Sequence, residues 1–422
     1  MSSLQKHTLR RLLVGAPALW SCLIGGAFAE GFTLPPIKIY GFLNAQIEAV
    51  EAKGGTTPYE KRGRISDGNS RVGISGSIPI SDTAKGIWQL EGSLNEFEQG
   101  GVNDQGASST LVSRNTFIGI EDIHLGRLIV GNNDSVYRSL VGSGGELGGN
   151  LGLSSLGLDL WNNTTAQLTG NSYSLFGRGE SRLKNSVHYL SPVFAGFQAG
   201  ASLGFDESRK DGVNHNRFSL AAKYSNGPLS LGLGYDRQSN IGVDVENLED
   251  GYGFKTGSQE GVKTEFFKAV ASYKLPTGTY LGFGVERARY GFSQFVPPSG
   301  TNIYPRLNIG RSTQTGVMAS LAQELNDRAV LMFSVGRIGN LKNAFFGSED
   351  DYAATQYSFG GKYKLNQYLS TYAFVTSIKN HAQQSLNLGQ SPLFSVNANS
   401  SNAYLSPGDS PRAIGVGLIA SF

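Results

Sequence analysis

The chain has 422 residues, 36 basic against 33 acidic, and a single cysteine, Cys22. So small a net charge gives no support to nucleic-acid binding, and no stretch of 18 or more apolar residues follows the first 30 positions, which excludes a membrane-spanning helix but not a β-barrel. The 57 glycines are about twice the usual share, and the 18 tyrosines and 23 phenylalanines beside them exclude disorder, leaving a glycine-rich β architecture.

The N-terminus reads as an export leader. Lys6, Arg10 and Arg11 form a positive head, residues 12–26 an uncharged apolar run, and Ala27-Phe28-Ala29 a small-residue cleavage site. Pro17 and three glycines make this run a poor spanning helix. Cys22 follows Leu19-Trp20-Ser21, where the bulky Trp20 argues against a lipoprotein box. Cleavage after Ala29 leaves 393 residues without cysteine, carrying 33 basic and 33 acidic groups, so the exported chain holds together without disulfides.

From Ile37 onward about sixteen strand candidates follow, recognised by period two. Phe197, Ala199, Ala201, Leu203 and Phe205 alternate with Gln198, Gly200, Ser202, Gly204 and Asp206. Phe218, Leu220, Ala222 and Tyr224 do the same against polar or small neighbours, as do Leu229, Leu231, Leu233 and Tyr235. Tyr357, Phe359 and Tyr363 oppose Gln356, Ser358 and Lys362. Segments around Phe117 and Met332 are apolar on both faces. The last strand sets Ile414, Val416, Leu418, Ala420 and Phe422 against Gly415, Gly417 and Ser421, with Ile419 out of pattern.

The connections alternate in length. Tight ones fall at Ile80-Ser-Asp-Thr, Asp122-Ile-His, Ser191-Pro, Ser225-Asn-Gly, Pro276-Thr-Gly, Asn326-Asp and Leu365-Asn. Long ones fall at about 53–68, 96–110, 132–184, 207–214, 238–261, 291–309, 339–350 and 380–408. A soluble sandwich has no reason to keep that order, whereas an outer-membrane barrel has short periplasmic turns and long external loops. Both termini then lie on the periplasmic side, and Tyr224, Tyr273 and Tyr363 stand before short turns, where an interfacial aromatic girdle belongs. Segment 132–184 has no strand pattern and many glycines; in a wide barrel it can fold inward and be packed by the lumen. The expected fold is therefore all-β: a leader, residues 1–29, then a 16-stranded antiparallel transmembrane barrel over 30–422, its long third loop turned into the lumen as a candidate constriction.

Catalytic and metal chemistry find little purchase. His124 lies in a short turn, and His215 and His381 lie in or beside external loops. His188 shares a strand face with Ser186, the one pair that an outer-membrane barrel enzyme such as a phospholipase could use. No His or Cys cluster has metal-ligand spacing, and no cofactor is implied.

Several stretches together resemble the trimeric sixteen-stranded general porins of Gram-negative bacteria, most closely the β-proteobacterial branch. They are Ile37-Lys-Ile-Tyr-Gly, Ser70-Arg-Val-Gly-Ile-Ser-Gly, Ile87-Trp-Gln-Leu-Glu, Arg114-Asn-Thr-Phe-Ile-Gly-Ile, Asn185-Ser-Val-His-Tyr-Leu-Ser-Pro and the terminal Phe422. The resemblance implies a water-filled channel for passive diffusion of ions and small hydrophilic solutes, a homotrimer among outer-membrane lipids, and a terminal aromatic, Phe422, read by the barrel-insertion machinery. A substrate-specific channel and a barrel enzyme are the alternatives. It also implies a constriction in which arginines on the wall face acids on the third loop. Arg71 and Arg114 match the second- and fourth-strand arginines; Arg178 or Arg182 matches the third; Glu146, in Gly145-Glu-Leu-Gly-Gly, matches the loop acid. The chain departs from the pattern at Gly142, Phe42 and Asn132, where the family has a second loop acid, the enteric lysine and an arginine. These departures leave the sign of ion selectivity open.

Overall fold

The computed structural model describes residues 36–68, 70–94, 111–142, 177–209, 212–244, 255–292, 310–344, 347–388, 393 and 405–422. Within them the chain forms sixteen antiparallel strands closed into a ring. They are β1 (Ile37–Lys53), β2 (Tyr59–Asp67 continued by Arg71–Pro79), β3 (Ala84–Leu94), β4 (Leu111–Ser113 continued by Thr116–Asp122), β5 (Gly126–Asp134) and β6 (Arg182–Leu190). Then come β7 (Phe197–Gly204), β8 (Arg217–Asn226), β9 (Leu229–Asp244), β10 (Lys255–Lys274), β11 (Thr279–Phe292) and β12 (Gly310–Glu324). The last four are β13 (Ala329–Ile338), β14 (Ala354–Lys364), β15 (Leu369–Asn380) and β16 (Ser410–Ser421). Each pairs with the next in sequence, and β16 returns to β1 with Leu43 opposite Ala420 and Lys53 opposite Ser410. Closure leaves no unpaired edge, which a barrel in hydrocarbon requires.

Alternation decides the facing. Ile414, Val416 and Leu418 are exposed on the outer surface, as are Leu203, Leu233, Phe283, Tyr357 and Phe359, while Ser202, Asp236, Glu286, Gln356 and Ser358 between them are buried inside. Ile419, out of pattern in sequence, faces inward and packs with Tyr372 and Phe374. The Tyr372 ring lies so close over Gly417 that a Cβ there would collide with it; only glycine lets the neighbouring strand carry an inward tyrosine.

All seven predicted tight turns connect strands. The strands, however, rise further than the pattern suggests. The loop after β1 shrinks to 54–58, since Lys53 pairs with Ser410 and β2 restarts at Tyr59; β9 and β10 leave only 245–254 between them. Charged runs such as Glu60-Lys-Arg-Gly-Arg hide period two from a hydropathy reading, although their backbone pairs normally with β1.

The inner face is less polar than expected. Tyr137, Leu140 and Val141, on a single π-helical turn (Tyr137–Val141), pack on Ala221, Phe266, Val270, Tyr290 and Met318 of β8 to β12. Leu388, Leu393 and Leu405 of the last long connection form a second cluster with Met332, Tyr372, Phe374 and Ala413. This accounts for the two-faced strand at Met332: both faces are apolar because lipid covers one and a folded-in segment covers the other.

Candidate functional site

Two strands are interrupted, and both breaks stand beside a sequence-predicted arginine. In β2 the ladder stops after Asp67 and resumes at Arg71; the Gly68 amide donates to the Asn44 carbonyl (2.8 Å) and the Ser70 amide to Asp67 Oδ2 (2.9 Å). Arg71 follows directly, its guanidinium carbon 4.7 Å from the Phe42 ring centroid. The β4 break is residues 114–115. Its backbone is held by the Arg114 amide on the Glu91 carbonyl (2.8 Å) and by Asn132 Nδ2 donating to the Arg114 carbonyl (2.7 Å). Irregularities of this kind re-aim side chains that a regular strand would lock into the pleat.

Arg114 meets an acid on its own wall. Arg114 Nε donates to Glu91 Oε1 at 2.8 Å and its Nη1 to Ser93 Oγ at 3.1 Å, while Tyr40 OH donates to Glu91 Oε2 at 3.0 Å. One strand further round, Arg182 Nε donates to Asn115 Oδ1 (2.7 Å), and its Nη2 lies 3.1 Å from Asp134 Oδ1. Arg138 reaches the same Asp134 oxygen at 3.2 Å. Arg71, Arg114 and Arg182 thus stand with Glu91 and Asp134 on the inner face of β2 to β6, and Arg138 joins them from the π-helical turn after β5. These charge-assisted bonds fix the guanidiniums without cancelling their net charge.

Arg178 belongs elsewhere. It lies across the lumen, against β11 and β12, with Nε 2.5 Å from Glu286 Oε1, its backbone amide on Glu286 Oε2 (3.1 Å), and Nη1 donating to Gln314 Oε1 (3.0 Å) and Tyr290 OH (3.3 Å). Lys268 joins the group, 2.5 Å from Glu180 and 3.2 Å from Glu286. Arg217 bonds the Gly179 carbonyl, Ser181 and Asp236. On the incoming side, Val136 and Tyr137 amides donate to Ser202 and Ser219 hydroxyls. Both described ends of segment 132–184 are therefore tied to the inner face of β7 to β12. Of the two alternatives for the third arginine, Arg182 joins Arg114 and Arg178 does not.

Glu146 lies outside the described residues, as do most of segment 132–184 and the whole of 1–29. Phe422 closes the ring: its amide donates to the Gly41 carbonyl (3.1 Å) and its carbonyl accepts from the Gly41 amide (3.0 Å). The Ser186–His188 pair does form, Oγ to Nε2 at 2.7 Å, with His188 Nδ1 2.8 Å from Ser202 Oγ. Both residues are sealed, and the Ser186 hydroxyl is within 2.7 Å of the Gly131 and Leu183 carbonyls, a wall-stitching arrangement rather than one aimed at a bound molecule. Sequence reading missed Glu91, Asp134, Lys268 and Glu286. Parity was the available signal, since each is a charge at an inward strand position.

A profile of Gram-negative porins matches residues 21–383. An outer membrane porin protein of Bordetella pertussis is 24% identical over 224 residues, covering 50% of this chain and 53% of that one, so the chain spans about half the length of this curated relative. The anion-selective porin from Comamonas acidovorans superposes with a TM-score of 0.63 at 16% identity, over 92% of this chain and 100% of that chain. The trimer form of Vibrio cholerae OmpT superposes at 0.56 and 14% identity, over 92% and 100%. A closed sixteen-stranded barrel, apolar outside and charged within, and a family match across most of its length lead to one conclusion: the chain belongs to the Gram-negative porin family.

Proposed function

We propose that this protein is an outer-membrane channel through which ions and small hydrophilic solutes diffuse passively, exported by the leader 1–29, which is then removed. The observation that carries the reading is the arginine wall of β2 to β6. Arg71, Arg114, Arg138 and Arg182 face the lumen with two acids, Glu91 and Asp134, among them. The two apolar clusters and the sealed Arg178–Lys268–Glu286 group fill much of the inner face of β8 to β16, which leaves the arginine wall to line the solute path. Glu146 on the third loop is the carboxylate that faces it. Field lines concentrate between low-dielectric walls, so a net positive lining there enriches anions and orients dipolar solutes.

Three copies assemble with both termini on the periplasmic side, and Phe422 is read by the insertion machinery; the trimeric neighbour supports this assembly. Reconstitution in a planar bilayer tests the function. Stepwise ohmic conductance, from a species that runs on a gel as a heat-modifiable oligomer, is the expected result. A folded barrel that carries no current overturns it.

A further inference from the structure

The inner wall on the short-turn side of the second apolar cluster combines a lone cation with an apolar strip. Lys362 lies two residues before the end of β14. Gln356, Ser358 and Gly360 on its strand face are buried inside, while Tyr357, Phe359 and Tyr363 are exposed outside, so Lys362 points into the lumen. Register sets it between Val330 of β13 and Tyr372 of β15. One step toward the long-loop end, Gly360 stands between Met332 and Phe374, both buried in the cluster with Leu388, Leu393 and Leu405. Phe42 of β1, Tyr280 of β11 and Val330 pack against that cluster yet stay partly exposed. All three occupy inward positions, so the apolar surface they leave open faces the lumen.

Charge accounting leaves Lys362 without a counter-ion. Among the described residues it makes no hydrogen bond or ion pair, and the charge that acts on it is the like charge of Lys364, two residues on at the same facing. The acid closest in register is Glu324, opposite Val330, and it is engaged: it accepts from Tyr280 OH (3.3 Å) and lies 3.3 Å from Lys274 Nζ. A half-buried ammonium gains from a carboxylate brought to it, and an apolar strip open to water gains from a flat apolar group laid on it. One kind of solute meets both demands, an anion with an aromatic body. Phe42 carries the strip to the arginine wall, since the Arg71 guanidinium carbon lies 4.7 Å from its ring centroid.

We propose that this strip is a binding site for aromatic monocarboxylates inside the lumen, with the carboxylate on Lys362 Nζ and the ring on the apolar surface beside it. The inference rests on the channel reading above and names a class of solute for it. Benzoate is the probe. Its binding to the full chain in neutral detergent is followed by saturation-transfer NMR titration, and chloride conductance is measured on the same preparation in a planar bilayer. Wild type should bind benzoate at least about tenfold more tightly than acetate, which has the charge without the ring, or benzyl alcohol, which has the ring without the charge. Lys362→Gln should lower benzoate affinity at least about tenfold, and Lys362→Arg should keep it. Val330→Ser, which leaves the charge in place, should weaken benzoate and not acetate, and it carries the test should Lys362→Gln fail to fold. Acetate bound as tightly as benzoate overturns the proposal. So does benzoate binding lost in Arg182→Gln but kept in Lys362→Gln, which would move the anion to the arginine wall. Chloride conductance without benzoate binding would sink this site and leave the channel reading standing.

Discussion

Arg178 and Glu286 meet Nε to Oε1 at 2.5 Å with both side chains sealed from solvent, although they lie 108 residues apart. The pair fastens the returning end of the third loop to the wall opposite the one it started from. Removing one member of a buried pair leaves an uncompensated charge and costs roughly 3–5 kcal/mol, while replacing both with apolar groups is often neutral. Arg178→Ala and Glu286→Gln should therefore lower the temperature at which the folded band converts on a gel. R178M/E286L should recover most of it. Open-channel noise should rise in the single variants. Thermal stability unchanged in both would mean that the contact does not hold the loop.

Charge selectivity is the direct readout of the arginine wall. Reversal potentials in asymmetric salt should show a modest anion preference, stronger near 0.1 M than at 1 M, as the screening length falls from about 10 Å to 3 Å. Arg71→Ser and Arg182→Ser should each move the potential toward cations. Glu91→Gln should move it the other way. Arg114→Ser is best made together with Glu91→Gln, because alone it strands a buried carboxylate. If none of these shifts the potential at low salt, the narrowest point lies elsewhere.

Facing can be tested by lysine substitution. Phe359 is half exposed on the outer surface, so Phe359→Lys should cost about 2–4 kcal/mol at mid-membrane depth. Ser358 is lumen-facing but buried, with Oγ 2.7 Å from Thr376 Oγ1, so a lysine there is not a neutral control. Ser77, inward and half exposed on β2, is. Ser77→Lys should fold with wild-type yield, and equal yields from Ser77→Lys and Phe359→Lys would reverse the assigned facing.

Closure of the ring depends on a small residue at Gly41. A Cβ there would press on the Arg71 carbonyl and the Phe422 ring. Gly41→Val should thus reduce folded barrel about as much as deletion of Phe422 does, while leaving leader cleavage intact. Normal oligomer yield from the Phe422 deletion would show that the final residue is dispensable for insertion.

The loop 205–216 has its own pH signature. Asp206 is held well below the usual carboxylate range by the His215 amide (2.8 Å), by the Ser208 hydroxyl (2.8 Å) and by the Ser208 amide and His215 ring. A depressed carboxylate stabilises the fold fully above its ordinary pKa and loses that contribution progressively as pH falls from there through the folded value. Protection of the Ser208 and His215 amides against exchange should be full from neutral pH down to the ordinary carboxylate range and decline gradually below it. In Asp206→Asn it should be weaker, with no acid transition. A wild-type loop that opens at ordinary carboxylate pH contradicts the assignment.

Much of the barrel was legible because its two solvents, lipid and water, impose opposite demands on successive residues. Where that contrast held, as at 197–205 or 413–418, period two located the strand and its facing. It failed where a third environment intruded. Met332, Ile419 and Phe374 point inward yet are apolar because folded-in segments cover them, and no local pattern announces a partner many residues away. The arginine wall was half legible for the same reason. Arg71 and Arg114 stood out through their motifs, whereas Glu91 ends the run Ile87-Trp-Gln-Leu-Glu with nothing nearby in sequence to mark its partner, and the separation of Arg178 from Arg182 needed three dimensions: four residues apart, they bind opposite walls.

The two apolar clusters inside the barrel give this membrane protein an interior built on a water-soluble plan. Tyr137, Leu140, Leu388 and Leu405 are hidden from water by other protein, not by lipid. Their burial should carry the positive heat capacity of unfolding that lipid-facing side chains lack. Calorimetry in detergent should then resolve a curved, urea-sensitive transition of the contents within a shell that melts later, so that the barrel outlives what it encloses.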